Sequence, residues 1–212
     1  MEWLRFESAE KLRDSVADLL CVSFTDSTDD SFAVMLSGGR TPLAAYGKVA
    51  RKCVKASERA HVFLSDERMV ASDSPESNYG NVFPMIESLG IPESRIIAVN
   101  SCMILEHAAR DYGDCLSEFL GKGGRITLGL LGLGSDGHTA SLFGPDDIER
   151  GRGLLAIPVR KAEGPSRVSV TRDLLLRVER IVLVVAGDDK ALILKELRTD
   201  PCSVTAGIAL EG

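Results

Sequence analysis

Apolar positions along the chain alternate between helical and strand-like spacing almost from end to end. Leu12, Val16, Leu19 and Leu20 recur at helical intervals behind Ser8, a side chain suited to cap a helix start. The acidic, Ser/Thr-rich stretch from Thr25 to Ser31 reads as a loop, and the unbroken apolar run Phe32 to Leu36 predicts a buried strand. Ser37-Gly38-Gly39-Arg40-Thr41-Pro42 ends that strand. Leu43, Tyr46, Ala50 and Cys53 then mark the inner face of a helix, with Pro42 in the first turn, where proline is tolerated. His61 to Leu64 predicts the next strand, closed by Ser65-Asp66-Glu67-Arg68. A polar stretch runs to Asn78 and leads into a short helix that Pro84 is expected to interrupt.

Ile96 to Val99 is again strand-like, and Leu105, Ala108, Ala109, Tyr112, Leu116 and Phe119 give the strongest helical period in the chain. Gly121 to Gly124 closes that helix, and Ile126 to Leu133 predicts a strand ending at Gly134-Ser135-Asp136-Gly137-His138. Val168 to Val170 and Ile181 to Ala186 predict further strands, and Gly187-Asp188-Asp189 leads into a helix beginning near Lys190. Strands separated by helices pair in parallel through right-handed crossovers. The expected architecture is an α/β fold: one doubly wound, mostly parallel, Rossmann-like sheet with helices on both faces. A length of 212 residues without repeat, linker or low-complexity segment predicts one domain over residues 1–212.

Composition narrows the partners. Lys and Arg total 25 against 31 Asp and Glu, a formal net charge of −6, which argues against general nucleic-acid binding because that rests on a cationic surface. The five cysteines form no C-x-x-C pair and are odd in number, so reduced thiols in the cytoplasm are expected. Charges at Glu2, Arg5, Glu7, Glu10, Lys11 and Arg13 stand where a signal peptide needs an apolar stretch. The run Ile181 to Ala186 is far below the roughly 20 residues that span a bilayer. No membrane association is expected.

Ligands of open α/β sheets bind beyond the carboxyl ends of the strands. Four polar clusters fall there: Ser37 to Thr41, Ser65 to Arg68, Gly134 to His138 and Gly187 to Lys190; a fifth, Pro165-Ser166-Arg167, precedes a strand. They supply Arg40, Arg68, Arg167 and Lys190, four cations whose convergence would make an anion site. Gly38 and Gly39 let backbone N–H groups approach an anion at a helix start, and Thr41 adds a hydroxyl donor. The loop has no Walker A spacing. Gly132 to Gly137 matches G-x-G-x-x-G, but Gly144-Pro145 stops the segment that follows, so the dinucleotide unit is missing. Leu133 stands where the hydrolase elbow G-x-S-x-G needs glycine.

His138, beside Gly137 and two residues after Asp136 at a strand end, is the candidate general base. No second His or Cys lies at ligand spacing from it, so no metal is expected.

Taken together, these clusters resemble the 6-phosphogluconolactonase family, related to the glucosamine-6-phosphate deaminases and isomerases. The resemblance rests on Ser37 to Pro42, Ser65-Asp66-Glu67-Arg68-Met69-Val70, Ser77-Asn78-Tyr79 and the long stretch Leu131 to Phe143, in order along nearly the whole chain. Arg167 and Lys190 also fall where the family places basic residues. The chain differs from the family pattern at Gly144, which separates Phe143 from Pro145, at Ala71, where proline is common, and at Gly212, short of the usual family C-terminus. The deaminases continue after the Asp-Gly-His segment with a stretch carrying a catalytic acid, whereas Thr139 to Phe143 holds none.

The resemblance implies hydrolysis of 6-phospho-D-glucono-1,5-lactone, a small sugar-phosphate partner, with no cofactor. His138 would activate water and Asp136 would support it. The substrate and its phosphate would lie among Gly38, Gly39, Arg40, Thr41, Asp66, Arg68, Arg167 and Lys190, one of the cations serving the carbonyl instead. A deaminase-like enzyme and a sugar-phosphate-binding protein without turnover are the alternatives, and both a monomer and a homodimer fit the sequence.

Overall fold

A computed structural model describes residues 1–26 and 30–211; residues 27–29, inside the stretch read as a loop, lie outside the described residues, as does the side chain of Arg40. The elements run α1 (Ala9–Phe24), β1 (Phe32–Leu36), α2 (Arg40–Arg51), β2 (Ala60–Leu64), β3 (Asp66–Arg68), α3 (Asn78–Leu89), β4 (Ile96–Ile97) and α4 (Leu105–Gly121). They continue with β5 (Arg125–Leu131), α5 (Pro145–Arg150), β6 (Ala156–Val159), β7 (Arg167–Val170), α6 (Arg172–Leu175), β8 (Ile181–Leu183), α7 (Ala191–Thr199) and α8 (Thr205–Leu210).

Five strands form a parallel sheet in the order β4-β2-β1-β5-β8. The chain winds outward from β1 through β2 to β4, then returns to the other flank of β1 with β5 and β8. The direction reverses between β1 and β5, so their carboxyl ends flank a topological switch point, where doubly wound sheets leave a crevice.

Because successive strand residues face opposite sides, β1 divides the core. Phe32, Val34 and Leu36 pack with α1, α2 and α3, while Ala33 and Met35 pack on the α4 side. Ser8 caps α1 as expected, accepting from the Lys11 N–H at 3.2 Å. α4 buries Ala108, Ala109, Tyr112, Leu116 and Phe119, and Tyr112 donates to the Leu64 carbonyl at the end of β2.

Val168 to Val170 lies outside the parallel sheet. Strands β3, β7 and β6 form a separate antiparallel sheet, packed on the α4 side. A short return between β6 and β7 can only make an antiparallel pair, since a parallel one needs a long crossover. Asp66-Glu67-Arg68, read as the polar cluster that closes β2, is the edge strand of this sheet.

Pro84 leaves α3 uninterrupted. Its cost of about 3 kcal/mol is offset by burial of Val82, Met85, Ile86 and Leu89, each contributing about 1.5–3 kcal/mol. Strand ends are shorter than the apolar runs. β4 reaches only Ile97, where it pairs with Phe63; β8 ends at Leu183 opposite Leu131; and β5 likewise ends at Leu131. Beyond β8, Asp188–Lys190 forms one 3-10 turn before α7 begins at Ala191.

Glu67 fixes the start of α3. Its carboxylate accepts from the backbone N–H groups of Asn78 at 2.8 Å and Tyr79 at 2.6 Å. Burial pushes this carboxyl above its ordinary value, against the pull of the Tyr79, Asn78 and Arg68 N–H groups. Glu67→Ala is expected to orphan the two α3 amides at about 1–3 kcal/mol each. Urea unfolding measures this; a midpoint equal to wild type would show that solvent satisfies both.

Candidate functional site

The loops after β1, β2 and β5 meet around the switch point. Gly39 precedes α2 with φ of 106°, a backbone conformation natural to glycine. The first-turn N–H groups of α2 are thereby presented at the carboxyl end of β1, with the positive end of the helix dipole behind them. Ser37 is held by Tyr46, whose hydroxyl donates to the Ser37 carbonyl at 2.8 Å and accepts from its N–H at 3.2 Å. The Ser37 hydroxyl is buried without a hydrogen-bond partner among the described residues.

The loop after β1 rests on Asn78. A Cβ at Gly38 would stand 2.1 Å from Asn78 Oδ1. The same Oδ1 accepts from Arg68 Nη1 at 3.0 Å, and Asn78 Nδ2 donates to the Asp66 carbonyl at 2.8 Å. Asn78 therefore joins the glycine loop to Arg68. Arg68 stands opposite Arg167 across the β3–β7 ladder, and cross-strand partners project to one face of a sheet.

Two guanidinium groups on one face need negative charge, and Asp66 supplies part of it. Its Oδ2 lies 3.6 Å from Arg167 Nη1. Burial holds Arg167 below its ordinary pKa; the Arg68 charge adds to that and Asp66 opposes it. Asp66 itself is 5% exposed, with Oδ1 accepting from Ser65 Oγ and Oδ2 from Ser141 Oγ, so it lies behind Arg167.

The loop after β5 brings Asp136 and His138 together. Gly134 N–H donates to the His138 carbonyl at 2.8 Å, and Gly137, with φ of 84°, closes the turn by donating to the Gly134 carbonyl at 3.1 Å. This turn sets His138 Nδ1 2.5 Å from Asp136 Oδ1. Burial pushes the Asp136 carboxyl up, but the hydrogen bond and charge of His138 outweigh it and hold the pKa below the ordinary value. An ionised carboxylate only accepts, so Nδ1 carries a proton, and in the neutral imidazole Nε2 is then the nitrogen with the lone pair.

Phe143 packs on the imidazole at a centroid distance of 4.6 Å, with Arg167 Cζ 5.6 Å and Lys161 Nζ 4.4 Å from its ring centroid. No helix follows Gly132 to Gly137 until α5, in keeping with rejection of the dinucleotide reading.

A continuous chain of contacts thus links Gly38, Asn78, Arg68, Asp66, Ser141, Arg167, Phe143, His138 and Asp136. Thr41 lies in the first turn of α2, on the same side as the glycine loop. Lys190 stands apart, its ammonium 3.3 Å from Asp189, although Ile193 in the next turn packs against Gly137. Asn78, Ser141 and Phe143 lie in the stretches that carry the resemblance but are given no role from the sequence, and Lys161 is not singled out at all. For Asn78 the available signal was Ser77, an N-cap that seats it at a helix start; for Lys161, in an exposed loop, there was none.

The class defined by this geometry is a doubly wound α/β fold that carries an Asp136–His138 contact and the cross-strand pair Arg68 and Arg167 on loops and strands about one switch point. The profile of the family described as glucosamine-6-phosphate isomerases/6-phosphogluconolactonase matches residues 7–207. The chain is 29% identical over 205 residues to a 6-phosphogluconolactonase of Haemophilus influenzae, covering 95% of this chain and 87% of that protein. It is 32% identical over 195 residues to one of Thermotoga maritima, covering 90% and 83%. The crystal structure of a Thermotoga maritima 6-phosphogluconolactonase superposes with a TM-score of 0.76 at 28% identity, covering 96% of this chain and 88% of that one. A monomeric glucosamine-6-phosphate deaminase shares the fold, with a TM-score of 0.81 at 19% identity over 99% of this chain and 91% of that one.

The chain belongs to the glucosamine-6-phosphate isomerase/6-phosphogluconolactonase family. No helix among the described residues is long and apolar enough to cross a membrane.

Proposed function

We propose that the chain hydrolyses 6-phospho-D-glucono-1,5-lactone to 6-phospho-D-gluconate in the cytoplasm, as a step of the pentose phosphate pathway. The observation that carries this reading is the Asp136–His138 pair, set beside Arg68 and Arg167 at the switch point. A δ-lactone is an activated ester, so attack by water needs no covalent enzyme intermediate. His138 Nε2 takes a proton from water as its oxygen bonds to C1, and returns it to the ring oxygen as the C1–O bond breaks. Asp136 keeps the proton on Nδ1 and supports the imidazolium that forms. General acid–base help of this kind contributes roughly 10²–10⁴-fold.

The phosphate is held by the Gly38, Gly39, Arg40 and Thr41 loop with Arg68 and Arg167. Lys190, whose ammonium is paired with Asp189, is the cation assigned to the carbonyl oxygen. The relatives named as lactonases support this assignment, and so does the Thr139 to Phe143 segment, which holds no acid where the deaminases place theirs.

The test is hydrolysis of freshly prepared 6-phosphogluconolactone with the spontaneous rate subtracted, beside ammonia release from glucosamine 6-phosphate. Acceleration of the first without the second is expected. Ammonia release alone would overturn the lactonase reading in favour of a deaminase. Tight 6-phosphogluconate binding with no turnover would leave a binding protein.

A further inference from the structure

Asp66 and Ser141 are too deeply buried to meet a ligand; Ser141 has no exposed surface at all. Both are nevertheless committed to one guanidinium. Ser141 Oγ donates to Asp66 Oδ2 at 2.7 Å and accepts from Arg167 Nη1 at 3.3 Å, and Arg167 Nη1 lies 3.6 Å from the same carboxylate oxygen. Each partner is anchored in turn. Ser65 Oγ donates to Asp66 Oδ1 at 3.1 Å, and the Ser141 N–H donates to Ser169 Oγ at 3.1 Å.

Strand alternation explains the convergence. Asp66 pairs with Ser169 and Arg68 with Arg167 across the ladder, so all four project to the face that receives the Ser141 loop. Only one orientation of the Ser141 hydroxyl serves both neighbours, with its proton toward Asp66 and a lone pair toward Arg167. The arrangement fixes the Nη1 corner of the guanidinium, while the side chain as a whole keeps 16% of its surface exposed. With the Arg68 charge opposite, the acceptor that fits the exposed part is anionic.

We propose that Asp66 and Ser141 are positioning residues that act through Arg167, aiming its guanidinium at the phosphate of the sugar and so setting the preference for a phosphorylated over an unphosphorylated lactone. The proposal rests on the lactonase reading above, and it replaces the direct substrate contact expected of Asp66 from the sequence.

The experiment compares kcat/KM for 6-phosphogluconolactone and for glucono-1,5-lactone in wild type, Ser141→Ala, Asp66→Asn, Arg167→Ala and the Ser141→Ala/Arg167→Ala double variant. The ratio of the two values is expected to fall about tenfold in Ser141→Ala and Asp66→Asn, the loss of one charge-assisted contact. The fall should lie in KM for the phosphorylated substrate. In the Arg167→Ala background, Ser141→Ala should change the ratio no further, because the pathway it acts through is gone. Asp66→Asn keeps the side-chain shape and serves as the test if Ser141→Ala fails to fold.

Equal loss on both lactones, no change in the ratio, or a further fall in the double variant would each overturn the proposal. Wild-type protein that accelerates neither lactone would instead overturn the lactonase reading, and this proposal with it.

Discussion

His138→Ala is expected to lower kcat for 6-phosphogluconolactone by roughly 10²–10⁴-fold, with KM close to that of wild type. In the proposed mechanism the imidazole activates water and does not hold the phosphate, so its removal takes away transition-state help and leaves ground-state binding to the arginines and the glycine loop. A fall confined to kcat is the mark of an interaction made as the reaction proceeds. The pH profile carries the same assignment further. The proposed mechanism needs the lone pair on His138 Nε2, so an acid-side fall present in wild-type kcat is expected to be absent from the residual rate of His138→Ala.

Asp136, whose pKa the hydrogen bond and charge of His138 hold below the ordinary value against the effect of burial, keeps its carboxylate to lower pH than a free aspartate. Its support of the imidazole is therefore expected to be lost only at the acid end of the kcat profile. Steady-state rates across pH in wild type and His138→Ala measure both features. A raised KM with kcat preserved would remove the base assignment, and an acid limb of the same shape in His138→Ala would show that a group other than the imidazole sets it.

The parts of the fold legible in the sequence were those governed by local pattern. Phe32 to Leu36 and the Leu105 to Phe119 face declared themselves because each is buried along a single period. The antiparallel sheet was illegible for the opposite reason. β3 is Asp66-Glu67-Arg68, three charged residues whose burial is made tolerable only by partners far away in the sequence: Ser141, Arg167 and the amides of Asn78 and Tyr79. A charge run with no visible partner reads as a solvated strand end, and only the fold supplies the partner.

The Asp136–His138 contact was within reach of the sequence because the two residues share a turn. The grouping of Arg68 with Arg167 depends on the strand register, which no local pattern discloses. Pro84 shows the same limit from the other side, since local chemistry argued for a break that tertiary burial overrides.

Gly134→Ala is expected to fold and yet to lose most of its turnover. A Cβ at this position would stand 2.1 Å from His138 Nδ1, 2.3 Å from Asp136 Oδ1 and 2.4 Å from His138 Cε1. All three are side-chain atoms, so the clash is relieved by swinging the imidazole and the carboxylate aside, with the backbone left in place. Their mutual hydrogen bond is what holds Nε2 toward the reaction, and it is the first thing such a movement breaks. The expected loss in kcat is about 10²-fold or more, approaching that of removing the general base outright.

The urea midpoint should shift far less, because the displaced groups lie at the rim of the site and outside the core. Gly132→Ala is the matched control: a Cβ there meets nothing within 4 Å, so stability is expected within about 0.5 kcal/mol of wild type, with turnover retained. Wild-type kcat in Gly134→Ala would show that the contact between Asp136 and His138 is dispensable for the reaction. Unfolding of Gly134→Ala at a much lower urea concentration would show that the turn after β5 holds the sheet together as well as the imidazole.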